Sequence, residues 1–163
     1  MNEYSTAHTL LEVVVGVLVL IFTILVHGAG IRAINRRFSA SWARLDPATV
    51  SYWRADGLLA VAIGSLAALH LVETLLWALP IYGQGMIAGM RDSYFFVLQS
   101  YTTLGAGNVT LPDEWRLLGP IIAMSGLFTF GWTAGVLVTI MSEYGKLDRD
   151  RARAKHGEKR GKD

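Results

Sequence analysis

The sequence predicts an all-α membrane protein with three transmembrane helices and a re-entrant helix and loop between the second and third. Three observations predict it. Apolar residues gather into three runs, each long enough to cross about 30 Å of hydrocarbon. Charged residues make up 17% of the 163-residue chain against 52% hydrophobic, and they nearly vanish from those runs, whereas a soluble domain spreads them more evenly. Between the second and third runs lies a segment too polar to span that still carries its own short helical stretch.

The first run extends from Thr9 to about Val26, interrupted only by Glu12 and Gly16. The preceding residues lack the basic start of a cleaved leader, so this helix is expected to be retained. A linker over Gly28–Asp56 follows, in which Asp46-Pro47 is a helix-start signal, an N-cap followed by proline in the first turn. The second run is Gly57 to Leu79 and the third is Leu117 to Met141. In the segment Pro80–Arg116, residues Ser93–Thr102 favour helix, with Asp92 and Ser93 placed as N-caps. Such a re-entrant helix-plus-strand survives at membrane depth only where protein or water covers its backbone. The expected organisation is therefore an N-terminal helix over 1–37, an interfacial linker over 38–55, a central module over 56–142 and a charged tail over 143–163, helical or disordered.

Basic residues set the expected orientation. The linker holds Arg32, Arg36, Arg37, Arg44 and Arg54, and the tail after Ser142 holds eight more Lys and Arg. The other side has only Arg91 and Arg116, beside Glu3, Asp92, Asp113 and Glu114. The positive-inside rule places linker and tail in the cytoplasm, and the N-terminus and central loop outside. Trp42, Trp53, Trp77 and Trp115 fall near the boundaries, as interfacial anchors do.

The segment with the most chemical content is Thr102-Thr103-Leu104-Gly105-Ala106-Gly107-Asn108. Gly105 and Gly107 can take positive φ at little cost, which lets a short extended stretch alternate its handedness and aim successive carbonyls the same way. A row of carbonyls can replace the water shell of a cation in a membrane. The helix before it would point its C-terminal dipole toward the membrane centre, a second attraction for positive charge.

These residues, with Pro112, Trp115-Arg116-Leu117-Leu118-Gly119, the glycine-rich stretch Gly126…Gly131-Trp132-Thr133-Ala134-Gly135, and His70-Leu71-Val72-Glu73-Thr74-Leu75-Leu76-Trp77-Ala78 with Tyr82, resemble the pore module of the tetrameric potassium-channel superfamily, its small bacterial members included. The resemblance covers roughly Asp56–Met141. It implies an outer helix, a pore helix, a selectivity-filter loop and an inner helix, repeated in a homotetramer in the cell (inner) membrane. It further implies K+ coordination by carbonyls of Thr103, Leu104, Gly105 and Ala106, with the Thr103 hydroxyl innermost, Gly107 completing the filter, and Thr102 and Asn108 supporting it or its mouth. Two positions depart from the family. Ala106 stands where an aromatic ring braces the filter, and Asn108 replaces an aspartate, removing one negative charge per subunit. Both departures point to weaker discrimination against Na+, so a weakly selective monovalent cation channel is the alternative. A non-conducting membrane scaffold is a third.

Other residues have two readings. His70 and Glu73 are ionisable groups inside a span, costing about 2.5–3.5 kcal/mol each if charged at its centre. They share a helix face at i, i+3, about 9 Å below the outer end. They either act behind the filter, in gating, or hold the outer helix to the pore helix. His27, at the cytoplasmic end of the first run, is expected roughly 20 Å in depth from His70, which argues against a shared haem or metal. Gly126, Gly131 and Gly135 are a gating hinge or packing glycines. Ser125, Thr129 and Thr133 recur every four residues and either line a cavity or bond back to their own helix. The first helix is expected to pack peripherally.

Nothing in the sequence points to an enzyme, a bound small-molecule substrate or a nucleic-acid partner. Cysteine is absent, so thiolate sites and disulfides are excluded. The two glycines lack the third glycine of a dinucleotide fingerprint. No cofactor is expected beyond the permeant ion, K+ or Na+, and the lipid bilayer is the surrounding partner.

Overall fold

A computed structural model of the chain describes residues 3–46, 51–105 and 107–160. Helices α1 (Glu3–Trp42), α2 (Tyr52–Gly83), α3 (Met90–Tyr101) and α4 (Leu118–Arg160) follow in order, with a 3-10 turn at Asp113–Trp115 before α4. Among the described residues there is no strand. Thr6–Trp42, Tyr52–Gly83 and Asp113–Leu147 are long and apolar enough to cross a membrane, which makes this a multi-pass membrane protein. At 1.5 Å per residue the 12 residues of α3 reach about 18 Å. That is too short to span.

Several boundaries differ from expectation. The first helix continues past Val26 to Trp42, because Gly28, Ala29, Gly30 and Ile31 are neutral and the 3.6-residue ladder runs on through them. Much of the expected linker is thus helix. Asp46 lies outside any helix, and Pro47 falls outside the described residues. α2 begins instead at Tyr52, where the Ser51 carbonyl accepts from the amides of Arg54 and Ala55 at 3.1 and 3.4 Å. It passes through Pro80 and ends at Gly83. The cap of α3 is Gly89 rather than Asp92 or Ser93. Gly89 makes no side-chain cap bond, while its carbonyl accepts from the Ser93 amide at 2.9 Å. The tail is helical to Arg160.

The chain forms two compact units. The first comprises Met1–Ala29 and Ala68–Gly131. Its core joins Leu20 of α1, Trp77, Ala78 and Ile81 of α2, Val97 and Tyr101 of α3, and Leu118, Ile121 and Ile122 of α4. Ser93, Val97 and Tyr101 recur every four residues and give α3 one buried face. Trp77, expected at an interface, is instead a core residue 1% exposed, because its indole N–H finds an acceptor in Ser125 Oγ at 3.3 Å.

Nor is the first helix peripheral. The Glu12 carboxylate accepts from the Leu117 amide at the start of α4, satisfying a donor that a helix N-terminus leaves open. At Gly16, a Cβ would lie 2.6 Å from Ile121 Cδ1, so a larger residue would force the Ile121 side chain to shift where α1 approaches α4.

The second unit comprises Gly30–Ala67 and Trp132–Asp163. Within it Phe38 stacks on Trp42 at 5.2 Å, Trp42 meets Tyr144 at 6.0 Å, and the Tyr144 hydroxyl donates to the Asp56 carboxylate.

Candidate functional site

The loop after α3 starts with a helix-ending turn. The Thr102 amide bonds the Leu98 carbonyl at 3.0 Å, the Thr103 amide bonds Ser100 at 3.0 Å, and the Leu104 amide reaches back to Gln99 at 2.9 Å. This is the Schellman pattern, which needs a left-handed residue after the cap. Thr103 fills that place at φ 58. The Thr102 hydroxyl adds a bond to the Leu98 carbonyl at 2.7 Å.

Positive φ therefore occurs at Thr103 and again at Gly105, φ 93. The handedness alternates across 103–105, with Thr103 in a place that the glycine spacing does not mark. Gly107 has a different use. A Cβ there would lie 2.7 Å from Gln99 Oε1, so its missing side chain admits the Gln99 amide behind the loop. Gly105 has open space around its Cβ position and is needed only for its φ. Leu104 is 77% exposed. No ladder partner runs beside 103–105, so the expected strand is irregular backbone. Ala106 lies outside the described residues.

Open grooves flank the loop on both sides. One, of about 560 Å³, is lined by Phe96, Ser100, Thr103, Gly105, Pro120 and Ala123 among others. The other, about 510 Å³, is lined by Asp92, Phe95, Leu98, Gly107, Asn108 and Val109 among others.

Behind the loop is a buried polar cluster. Glu73 accepts from the Tyr101 hydroxyl at 2.6 Å, and its other oxygen lies 2.7 Å from His27 Nδ1. His70 Nδ1 is 3.4 Å from Glu73 and 3.1 Å from the Tyr101 hydroxyl. Tyr101 also pairs with Thr129 on α4 at 2.5 Å. Three helices thus meet at one carboxylate, and Tyr101 links it to Thr129 on the fourth.

The expected 20 Å separation of His27 and His70 is wrong: their rings are 5.3 Å apart. That separation assumes that His27 sits at the inner end of a span that closes at Val26, level with Gly57 at the start of the second run. Because α1 runs on to Trp42, His27 sits well inside it, at the level of the middle of α2. Pairing of histidines on separate helices depends on that register, which no single segment reveals. The one available signal was the absence of any charge between Glu12 and Arg32.

On α4, Ser125 and Thr129 face into their own chain rather than onto a cavity, and Thr129 Oγ1 lies 3.0 Å from the Ser125 carbonyl. Gly126 is a site of close approach. A Cβ there would lie 1.9 Å from the Tyr101 carbonyl oxygen. Gly131 and Gly135 have nothing within 4 Å of their Cβ positions, and Thr133 is buried.

Residues 65–143 match a protein-family model described as an ion channel. The matched segment is consistent with a pore module of the potassium-channel superfamily. No curated protein and no solved structure matches it. By the likeness to that superfamily α2 corresponds to an outer helix, α3 to a pore helix and α4 to an inner helix.

Proposed function

We propose that this chain forms a homotetrameric channel in the cell membrane that conducts K+ passively through the carbonyls of Thr103, Leu104, Gly105 and Ala106. The observation that carries the reading is the alternation of handedness at Thr103 and Gly105, immediately after the short helix α3, which buries one face. Alternation turns neighbouring carbonyls toward one side, and oxygens so aligned can substitute for hydration. Two further features support it. The grooves on either side of the loop differ in lining, and a ring joins unlike patches head to tail. The arginines of 32–54 and the basic tail favour a cytoplasmic side for both, with the N-terminus and loop outside.

Ala106 and Asn108 favour one second reading, a monovalent cation channel that discriminates K+ from Na+ weakly. Liposome flux separates the readings. The purified chain should pass K+ faster than Na+, and Gly105→Asp should abolish both fluxes. Equal K+ and Na+ rates identify the weakly selective channel. Equal leak from wild type and Gly105→Asp shows a scaffold that does not conduct.

A further inference from the structure

We propose that His27, His70 and Glu73 form a binding site for one divalent transition-metal ion, zinc above all, that clamps α1 to α2. Their ligand atoms, one per residue, all lie within 4.8 Å of one another, and the group is buried. A tetrahedral zinc with bonds near 2.0–2.1 Å spaces its ligand atoms about 3.3 Å apart. His70 Nδ1 is already 3.4 Å from Glu73 Oε2, and His27 Nδ1 is 2.7 Å from Glu73 Oε1, so the two imidazoles address the two oxygens of one carboxylate. Small rotations of side chains would bring all three to one ion.

The donor set has its own preference. Two imidazoles and one carboxylate suit zinc, nickel, cobalt and iron, and they discriminate against K+, Ca2+ and Mg2+, which favour all-oxygen shells. In the ion's absence, Glu73 is held by hydrogen bonds to His27 and Tyr101. A divalent ion would replace the shared proton between His27 and Glu73 and bring positive charge to a carboxylate buried at membrane depth. Tyr101 and Thr129, bonded in sequence beyond Glu73, are placed to orient its second oxygen. The ligands come from two helices, so binding would tie the first helix to the outer helix. The site lies off the loop and does not depend on whether the channel conducts.

The test is metal content rather than flux. The full chain, purified in detergent and stripped with chelator, is exposed to zinc alone and desalted, and zinc per chain is measured. About one zinc per chain is expected, with a raised melting temperature and at least a tenfold loss of affinity in His27→Gln/His70→Gln. The sequence has four histidines, and His8→Gln/His156→Gln should bind as wild type does. Cobalt should give the visible absorption of a tetrahedral nitrogen-oxygen shell in wild type and lose it in His27→Gln/His70→Gln. Size-exclusion and helicity checks show that each variant is folded. Wild type without zinc, or zinc held equally by folded His27→Gln/His70→Gln, overturns the site.

Discussion

Helices α2 and α3 end in the same turn but hold it by different means. At the end of α2 the Gly85 and Met86 amides bond the Tyr82 and Ile81 carbonyls at 2.9 and 3.1 Å, with Gly85 in the left-handed position at φ 68. Glycine takes that conformation freely, and Met86 packs with Ile81 in the core, the apolar contact that usually accompanies this turn. At the end of α3 the left-handed place belongs to Thr103, a β-branched residue, and the partner of Gln99 is Leu104, which is largely exposed. The α3 turn thus has neither the easy residue nor the apolar contact. What holds it is Tyr101, its last helical residue, fixed by Glu73 and Thr129 and crowded by Gly126. Local sequence suffices to end a structural helix. The helix end that starts the loop is held in a costly conformation by tertiary contacts, as functional sites commonly are.

The largest test of that contrast is Glu73→Leu. It removes the acceptor shared by His27 and Tyr101, and breaking a buried pair costs about 3–5 kcal/mol. Amide exchange at Thr102–Leu104 should accelerate strongly, while exchange at Gly85 and Met86 changes little and the melting temperature falls. Equal acceleration at both turns would show that the cluster does not hold the α3 end in particular.

Gly126→Ala comes next. The new methyl meets a backbone oxygen, which cannot rotate aside, so a cost near the top of the about 1–3 kcal/mol typical of overpacking is expected. Gly131→Ala on the same helix meets nothing within 4 Å and should be nearly silent. Melting temperatures of the two variants check the difference. Comparable losses would point to helix propensity or to contacts between copies, not to the Tyr101 carbonyl.

Gly85→Ala probes the other turn. A left-handed alanine costs about 1–2 kcal/mol, and the space around it is open. Exchange at Gln84–Met86 should rise, while exchange at Thr102–Leu104 and ion flux remain as in wild type.

The contrast also marks what could be seen in the sequence. The three spans and the short helix between them were legible, because apolar length and scarcity of charge act through composition alone. The loop was legible as Gly105 and Gly107, but its frame was not. The Cβ position of Gly107 lies against the Gln99 amide, which the local sequence does not reveal, while Thr103 is left-handed, which propensity argues against. Ser93 looked like a cap because its hydroxyl can bond a helix N-terminus. The cap is Gly89, which offers no side chain at all. His70 and Glu73 were visible as an i, i+3 pair, but the pairing of Glu73 with His27 depends on how far α1 slides past α2. Thr129 is visible in the sequence as one of a polar row, yet only the packing of α3 against α4 turns it toward Tyr101.

Thr103→Gly should have the smallest effect on stability and the most informative one. Relaxing the left-handed conformation returns about 1–2 kcal/mol. The added freedom of glycine in the unfolded chain takes back roughly 0.5–1 kcal/mol. The melting temperature should therefore stay level or rise slightly, and exchange at Leu104 should slow. If the proposed filter is correct, the same variant loses the innermost hydroxyl ring, and its K+ over Na+ flux ratio should fall although the protein is no less stable. That dissociation separates a threonine kept for its side chain from one kept for its turn. A variant that is destabilised by more than about 1 kcal/mol would mean that the Thr103 side chain supports the turn in a way its backbone strain does not reveal.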